Sequence, residues 1–270
     1  MLRSYLFVPG NRPDRYEKAC ATRADAVIVD LEDAVAPHDK AEARESLVAW
    51  LSASRKVIVR VNAPGSAWWD DDLAACAHDG VRAVVVPKAE QPSQMALAAS
   101  VTGKPVLPLV ETAQGAFAAL EIARTPGVSR LLFGSLDYQA DLDTSDDELL
   151  YVRSRLVLVS RVAGIEAPVD GITQAADDVE LVRRDSERAR RLGFGGKLCI
   201  HPRQVDLVNR AFCPSDEDVE WATRVVAAFE ASRGNAALLD GKMGDRPVLM
   251  KAQASLGEAA ARRGGHAPDS

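Results

Sequence analysis

The chain has 270 residues, with 33 Lys and Arg against 39 Asp and Glu, a formal net charge of −6. That acidic balance argues against general binding to nucleic acid or to anionic membranes. A content of 47% hydrophobic and 27% charged residues excludes a mostly disordered chain.

The opening, MLRSYLFVPGNRP, has an apolar run too short for a signal peptide and no small-residue cleavage site. No stretch reaches 18 apolar residues, so no membrane span is expected. The cysteines Cys20, Cys76, Cys199 and Cys213 form no CxxC pair and no metal spacing. They read as reduced, mostly buried thiols of a cytoplasmic protein.

Eight short runs rich in Val, Ile and Leu follow in order: 4–8, 26–30, 57–61, 83–86, 106–110, 130–133, 164–169 and 197–200. The seventh, within GIEAPVDGI, is the weakest because it carries a proline. The intervening segments have helical character. Residues 13–23 place Tyr16, Ala19 and Cys20 at helical spacing, and 177–192 carries acids in its first turn and arginines in its last, as the helix dipole favours. Repeated strand–helix alternation with continuous apolar strands predicts a parallel sheet buried on both faces. The count of eight, and the absence of GxGxxG after the first strand, favour a (β/α)8 TIM barrel over an open doubly wound sheet. Gly193-Phe194-Gly195-Gly196 precedes the eighth strand and reads as a helix terminus rather than a phosphate cradle. Two further helices are expected at 216–232 and 247–263, separated by a glycine-rich linker at 234–244, with a frayed tail from 264. The expected organisation is a barrel over 1–233 and a C-terminal helical extension over 234–270 that packs on a neighbouring subunit.

In such a barrel the functional groups stand at the C-terminal ends of the strands. Those ends read Asp30-Leu31-Glu32-Asp33, Arg60-Val61-Asn62, Pro87-Lys88, Glu111-Thr112, Gly134-Ser135-Leu136-Asp137, Asp170 and His201-Pro202. Glu111 and Asp137 follow neighbouring strands, and two carboxylates with waters are how Mg²⁺ is commonly held. Scattered histidines give a zinc site little support. The fork of Arg60 suits a substrate carboxylate, the alternative being an ion pair with Asp30 or Glu32. Lys88 could form a Schiff base, but acidic neighbours would raise its pKa and make it a structural ion-pair lysine. Ser135 lacks a GxSxG elbow, and His201 reads as orienting the loop after strand 8.

The ordered segments RSYLFVPGNRPDRYEKA, DAVIVDLEDAVAPHDKAEAR, VIVRVN, VVVPKAE, LPLVETAQG, LLFGSLDYQADL and KLCIHPRQV resemble the citrate lyase beta-subunit-like branch of the HpcH/HpaI aldolase family. The resemblance runs from Leu2 to beyond Gln253. It implies a Mg²⁺-dependent carbon–carbon lyase (Mn²⁺ being the substitute), usually homotrimeric. Such an enzyme acts on a 3-hydroxy-3-carboxy acyl-CoA thioester of citramalyl-CoA or malyl-CoA type. The alternatives are a citrate lyase subunit working on a citryl carrier protein, or thioester hydrolysis or synthesis at the same site. By motif position Glu111 and Asp137 are the implied metal ligands, with Glu111 also touching substrate. Arg60 is the implied carboxylate binder, and Glu32 and Asp33 are the acids behind them. DGKMGDRPVLMKAQ is similar to the segment that supplies an acid to the next subunit's site, which places Asp245 in that role; Gly244 stands where a bulkier apolar residue is expected.

Overall fold

The computed structural model describes residues 2–231, 237–239 and 242–264. They fall into two compact units, Met1–Phe212 and Cys213–Ser270.

The first unit is a closed barrel of eight parallel strands in sequence order. They are β1 Ser4–Pro9, β2 Ala26–Asp30, β3 Val57–Arg60, β4 Val81–Val86, β5 Val106–Val110, β6 Arg130–Phe133, β7 Glu166–Asp170 and β8 Gly196–Cys199, and β8 pairs back on β1. The (β/α)8 expectation is met. Three strand starts differ from it. β4 begins two residues earlier, where the Val81 amide bonds the His78 carbonyl and Val81 pairs with Val57. β7 begins later, because the Ile165 amide still closes the preceding helix on the Ser160 carbonyl. β8 begins at Gly196, where a Cβ would lie 2.5 Å from the Arg3 carbonyl oxygen, so only glycine allows this approach to β1.

The strands are buried on both faces. Tyr5, Ile28, Ile58, Val85, Leu107, Leu109, Leu132, Val169 and Leu198 fill the barrel interior. The alternate residues face the surrounding helices and form the larger outer core. Those helices are α1 Tyr16–Cys20, α2 Lys40–Trp50, α3 Trp69–Cys76, α4 Pro92–Thr102, α5 Ala113–Ala123, α6 Ser135–Leu142, α7 Leu150–Ala163, α8 Val179–Leu192 and α9 Pro202–Ala211. α1 is much shorter than the 13–23 pattern predicts. A 3₁₀ turn, Pro13–Arg15, takes its first residues, and the Thr22 hydroxyl donates to the Ala19 carbonyl while accepting from the Ala24 amide. That side chain offers the backbone an alternative to another helical turn. α8 starts with the Asp178 carboxylate accepting from the Leu181 amide and ends at Gly193 with φ +101°. The glycine cluster therefore closes a helix, as expected. Of the cysteines, Cys20 is exposed and the other three are buried.

In the second unit α10 Asp216–Ala231 packs on α11 Arg246–Gly264 through Ala222, Val225, Phe229 and Ala252. The sequence pattern grouped α10 with the barrel; here it belongs with the C-terminal segment. The span expected to be a linker contains an antiparallel pair, β9 Ala237–Leu239 and β10 Lys242–Gly244, with Leu239 opposite Lys242. Asp240-Gly241, a dipeptide typical of hairpins, was the sequence signal for it. The remainder of that span, the expected helix end at Ser232 and the tail at 265–270 lie outside the described residues. Among the described residues no helix is long and apolar enough to cross a membrane.

Candidate active site

Parallel register brings the strand ends to one rim. Asp30 and Arg60 are opposite each other on β2 and β3, and Val110 and Phe133 on β5 and β6. A cavity of about 410 Å³ opens there, lined among others by Asp30, Asp33, Arg60, Glu111, Gly134 and Asp137. Four of the six residues nominated from sequence therefore share one cavity. Glu32 lies behind it, through its contacts with Arg60 and Lys88. Asp245 belongs to the other unit; it is exposed, and its carbonyl accepts from the Leu249 amide at the start of α11.

Glu111 is 1% exposed. Its Oε1 accepts from the Lys88 amide at 2.7 Å, while Oε2 is buried with no hydrogen-bond partner. Burial, then the nearby charges of Glu32 and Asp137, push its carboxyl up to about 8. Gly134 makes room for this side chain. A Cβ there would lie 2.5 Å from both Cβ and Oε2 of Glu111, and the Gly134 amide ties β6 to the Val110 carbonyl. Asp137 stands exposed in the first turn of α6. A buried, unsatisfied carboxylate oxygen beside a second carboxylate is a donor set that suits a hard divalent cation. Among the described residues no group of three or more His, Cys, Asp and Glu forms a self-sufficient metal cage, so such an ion would need oxygens from water or substrate.

Arg60 is committed first to Asp30. Its Nε and Nη2 donate to the two carboxylate oxygens at 2.7 and 2.6 Å, while Nη1 lies 3.1 Å from Glu32 and 3.6 Å from Asp33. The ion-pair alternative is thus realised, and Nη1 is the guanidinium nitrogen that does not bond Asp30. Asp30 also accepts from the Glu32 and Ala34 amides, so one carboxylate shapes the β2 exit loop and fixes the guanidinium. Lys40, 6% exposed, pins that loop from behind: its ammonium donates to the Leu31 and Glu32 carbonyls and to Asn62. Asp30 entered the sequence reading as a strand-end acid and an alternative partner of Arg60, whereas Lys40 was not singled out.

Lys88 holds the left-handed conformation, φ +46°, which turns its amide onto Glu111 and its ammonium onto Glu32 at 2.7 Å. Burial alone would lower its pKa, but the bond to Glu32 and the charges of Glu32, Asp33 and Glu111 carry it above the ordinary value. This arrangement matches the ion-pair lysine expected from the sequence. Glu32 sits higher than an ordinary carboxyl because burial outweighs Arg60 and Lys88. Ser135 is buried under Gly171, and His201 caps α9 by accepting from the Arg203 amide.

Fold and site define a (β/α)8 enzyme with an acidic catalytic rim and an oxygen-only donor pair. The model of the HpcH/HpaI aldolase/citrate lyase family matches residues 3–202, and the chain belongs to that family of lyases. A citrate lyase subunit beta-like protein of Deinococcus radiodurans is 39% identical over 95% of this chain and 96% of that one. A (3S)-malyl-CoA thioesterase of Cereibacter sphaeroides is 36% identical over 96% and 95%. Among solved structures, protein CitE of Mycobacterium tuberculosis in complex with magnesium, acetoacetate and coenzyme A superposes with a TM-score of 0.86 and 37% identity, covering 96% of this chain and 98% of that chain.

Proposed function

We propose that this enzyme is a Mg²⁺-dependent carbon–carbon lyase that cleaves a 3-hydroxy-3-carboxy acyl-CoA thioester, of citramalyl-CoA or malyl-CoA type, into a 2-oxoacid and an acyl-CoA. The observation that carries the reading is the convergence of Glu111, with its buried unpartnered oxygen, on one cavity with Asp137 and Arg60. The magnesium-bearing and CoA-bearing CitE structure supports the cofactor and the ligand class.

Glu111 and Asp137 would hold the cation, with Mn²⁺ as the substitute, and the bound ion would supply Lewis-acid stabilisation of charge growing on substrate oxygens. The Nη1 edge of Arg60 faces the substrate carboxylate, and Asp30 keeps that guanidinium from rotating. Cleavage removes the proton of the 3-hydroxyl, turns the carbinol carbon into the 2-oxo carbonyl of the oxoacid, and leaves the electron pair of the broken C–C bond on the thioester α-carbon. That carbon then takes up one proton, so no oxidant or reductant is needed. In this reading Asp245 handles that proton, from the C-terminal segment of a neighbouring subunit in a homotrimer. Lys88, Glu32 and Asp33 fix the positions of Glu111 and Arg60 without touching substrate.

Thioester hydrolysis is a second reading, favoured by the malyl-CoA thioesterase relative. One experiment separates the two. The protein is incubated with Mg²⁺ and each of malyl-, methylmalyl- and citramalyl-CoA, with phenylhydrazine trapping the oxoacid and a disulfide reagent titrating free thiol. Oxoacid without thiol is the lyase; thiol without oxoacid is the thioesterase; neither product from any thioester overturns the proposal.

A further inference from the structure

The Glu111–Asp137 pair spans two exit segments that are fixed in different ways. Glu111 is buried, and the Lys88 amide holds its carboxylate. Asp137 is exposed in the first turn of α6, so its distance from Glu111 is set by how α6 is seated. That helix has eight residues. Its leading end is tied to the barrel, where the Gly134 amide bonds the Val110 carbonyl and Tyr138 packs edge-on against Phe133 with ring centroids 5.6 Å apart. At its trailing end Asp143 turns left-handed, φ +49°, and the Thr144 amide closes on the Gln139 carbonyl.

Asp141 lies between these two ends. It stands four residues after Asp137 and therefore on the same face of α6. Its Oδ2 accepts from the Ala113 amide at 2.7 Å. Ala113 is the first residue of α5 and follows Glu111 by two positions. That amide is among the first N–H groups of a helix, which have no acceptor within the helix itself, and the helix dipole favours a carboxylate there. The neighbouring Thr112 hydroxyl accepts from the Gly115 amide and donates to Glu90, in the loop that begins at Lys88. Three bonds thus stitch the rim together: Lys88 to Glu111, Thr112 to Glu90, and Ala113 to Asp141. The last of them reaches from the Glu111 segment to the helix that carries Asp137.

We propose that Asp141 is a positioning residue: by accepting the Ala113 amide it fixes α6 against the Glu111 segment and so sets the spacing of the two carboxylates that hold the cation. The proposal rests on the assignment of Glu111 and Asp137 as that pair. Asp141 lies outside the residues that line the cavity, so it acts through Asp137 rather than on substrate.

The test reads metal binding without turnover, by titrating metal-free enzyme with Mn²⁺ and counting the free ion by its EPR signal. Asp141→Ala should raise the Mn²⁺ dissociation constant about tenfold or more, as loss of a group that orients a ligand does elsewhere. Asp141→Asn keeps an acceptor oxygen for the same amide and should stay within about threefold of native. The donor can be removed instead. Ala113→Pro deletes the N–H at a first helical position, where proline is well accepted, and Thr112 before it is already extended, φ −135° and ψ 159°, as a residue before proline prefers. This variant should match Asp141→Ala, and it carries the test if Asp141→Ala does not fold. In an Asp137→Asn background Asp141→Ala should add less than about twofold, because the carboxylate it positions is gone. Native Mn²⁺ affinity in folded Asp141→Ala or Ala113→Pro overturns the proposal, as does a loss of the same size in Asp141→Asn or in both backgrounds. Asp137→Asn alone decides the reading beneath it. Native affinity there refutes the Glu111–Asp137 pair and the positioning role with it; a loss there without one in the Asp141 and Ala113 variants refutes the positioning role and leaves the pair standing.

Discussion

Gly134 and Glu111 are matched so closely that a single added carbon does not fit between them: a Cβ on Gly134 would lie 2.5 Å from the Glu111 carboxylate. Gly134 has φ −90°, so alanine strains nothing in the backbone, and the whole effect of Gly134→Ala falls on the acid. Glu111 must swing away or the β6 exit must shift. Displacing a group that positions substrate oxygens by about 1 Å can cost on the order of 10²-fold. Gly134→Ala should therefore keep the fold by circular dichroism, raise the half-saturating Mg²⁺ concentration at least about tenfold, and reduce kcat. Native Mg²⁺ dependence in this variant would mean that Glu111 does not hold the ion.

Glu111 also sets a pH dependence. Its carboxyl is raised to about 8 in the metal-free fold, against an ordinary value near 4.3. A carboxyl raised on folding stabilises the protein below its unfolded pKa, and that contribution is lost as pH rises through the folded value. Metal-free protein should thus lose thermal stability between about pH 5 and pH 9, and Glu111→Gln should flatten that slope. Mg²⁺ requires the ionised form, so its stabilising shift in Tm should grow over the same window. A shift of equal size at pH 5.5 and pH 8.5 would refute the link between this carboxyl and the cation.

Arg60→Lys probes the pair with Asp30. Lysine keeps the charge but cannot make two parallel bonds to a carboxylate, and the Asp30 carboxylate is 2% exposed with both oxygens relying on Arg60 and on the exit-loop amides. The loss of one charge-assisted bond costs about 1.5–3 kcal/mol. Two readouts should move together: Tm falls through the Asp30 loop, and kcat/KM falls about ten- to hundredfold through the misplaced Nη1 edge. A drop in Tm with native kinetics would confine Arg60 to the structural role.

Much of this molecule was legible beforehand, for identifiable reasons. In β2, β5 and β6 the stretches Val27–Val29, Val106–Val110 and Leu131–Phe133 are buried and apolar without a polar interruption, so the strand ends, and hence Asp30, Glu111 and the Gly134–Asp137 stretch, could be placed to the residue. β7 could not, since Glu166 and Pro168 dilute its pattern and its pairing with β6 slips between Arg130 and Leu132. The positions of Glu111 and Asp137 followed from strand order alone. What the pattern could not show was pairing choice. A strand-end arginine facing two acids offers the same sequence whether it waits for a ligand or closes on Asp30, and the outcome depends on the register that sets those side chains opposite each other. The left-handed backbone of Lys88 was equally hidden, because lysine carries no signal for positive φ.

Asp245 carries the last prediction. It stands in the C-terminal unit, exposed at the start of α11, remote in sequence from Glu111 and Asp137. An exposed aspartate at a helix start has no evident structural task that its amide would fail. Asp245→Asn should therefore retain Tm and oligomeric state, yet lose turnover by roughly 10²–10⁴-fold if this carboxylate moves the proton to the acyl carbon. KM and Mg²⁺ dependence should stay near native, since neither the cation pair nor the Arg60 edge is altered. Where the carboxylate acts is decided by mixing. Asp245→Asn and Asp137→Asn subunits, each inactive alone, are refolded together and the hybrid oligomers isolated by differential tags. If the acid crosses a subunit interface, some sites in the hybrids combine an intact Glu111–Asp137 pair with an intact Asp245, and a fraction of native turnover returns. Hybrids that remain inactive would return Asp245 to its own subunit's site, and native turnover in Asp245→Asn alone would remove it from the chemistry.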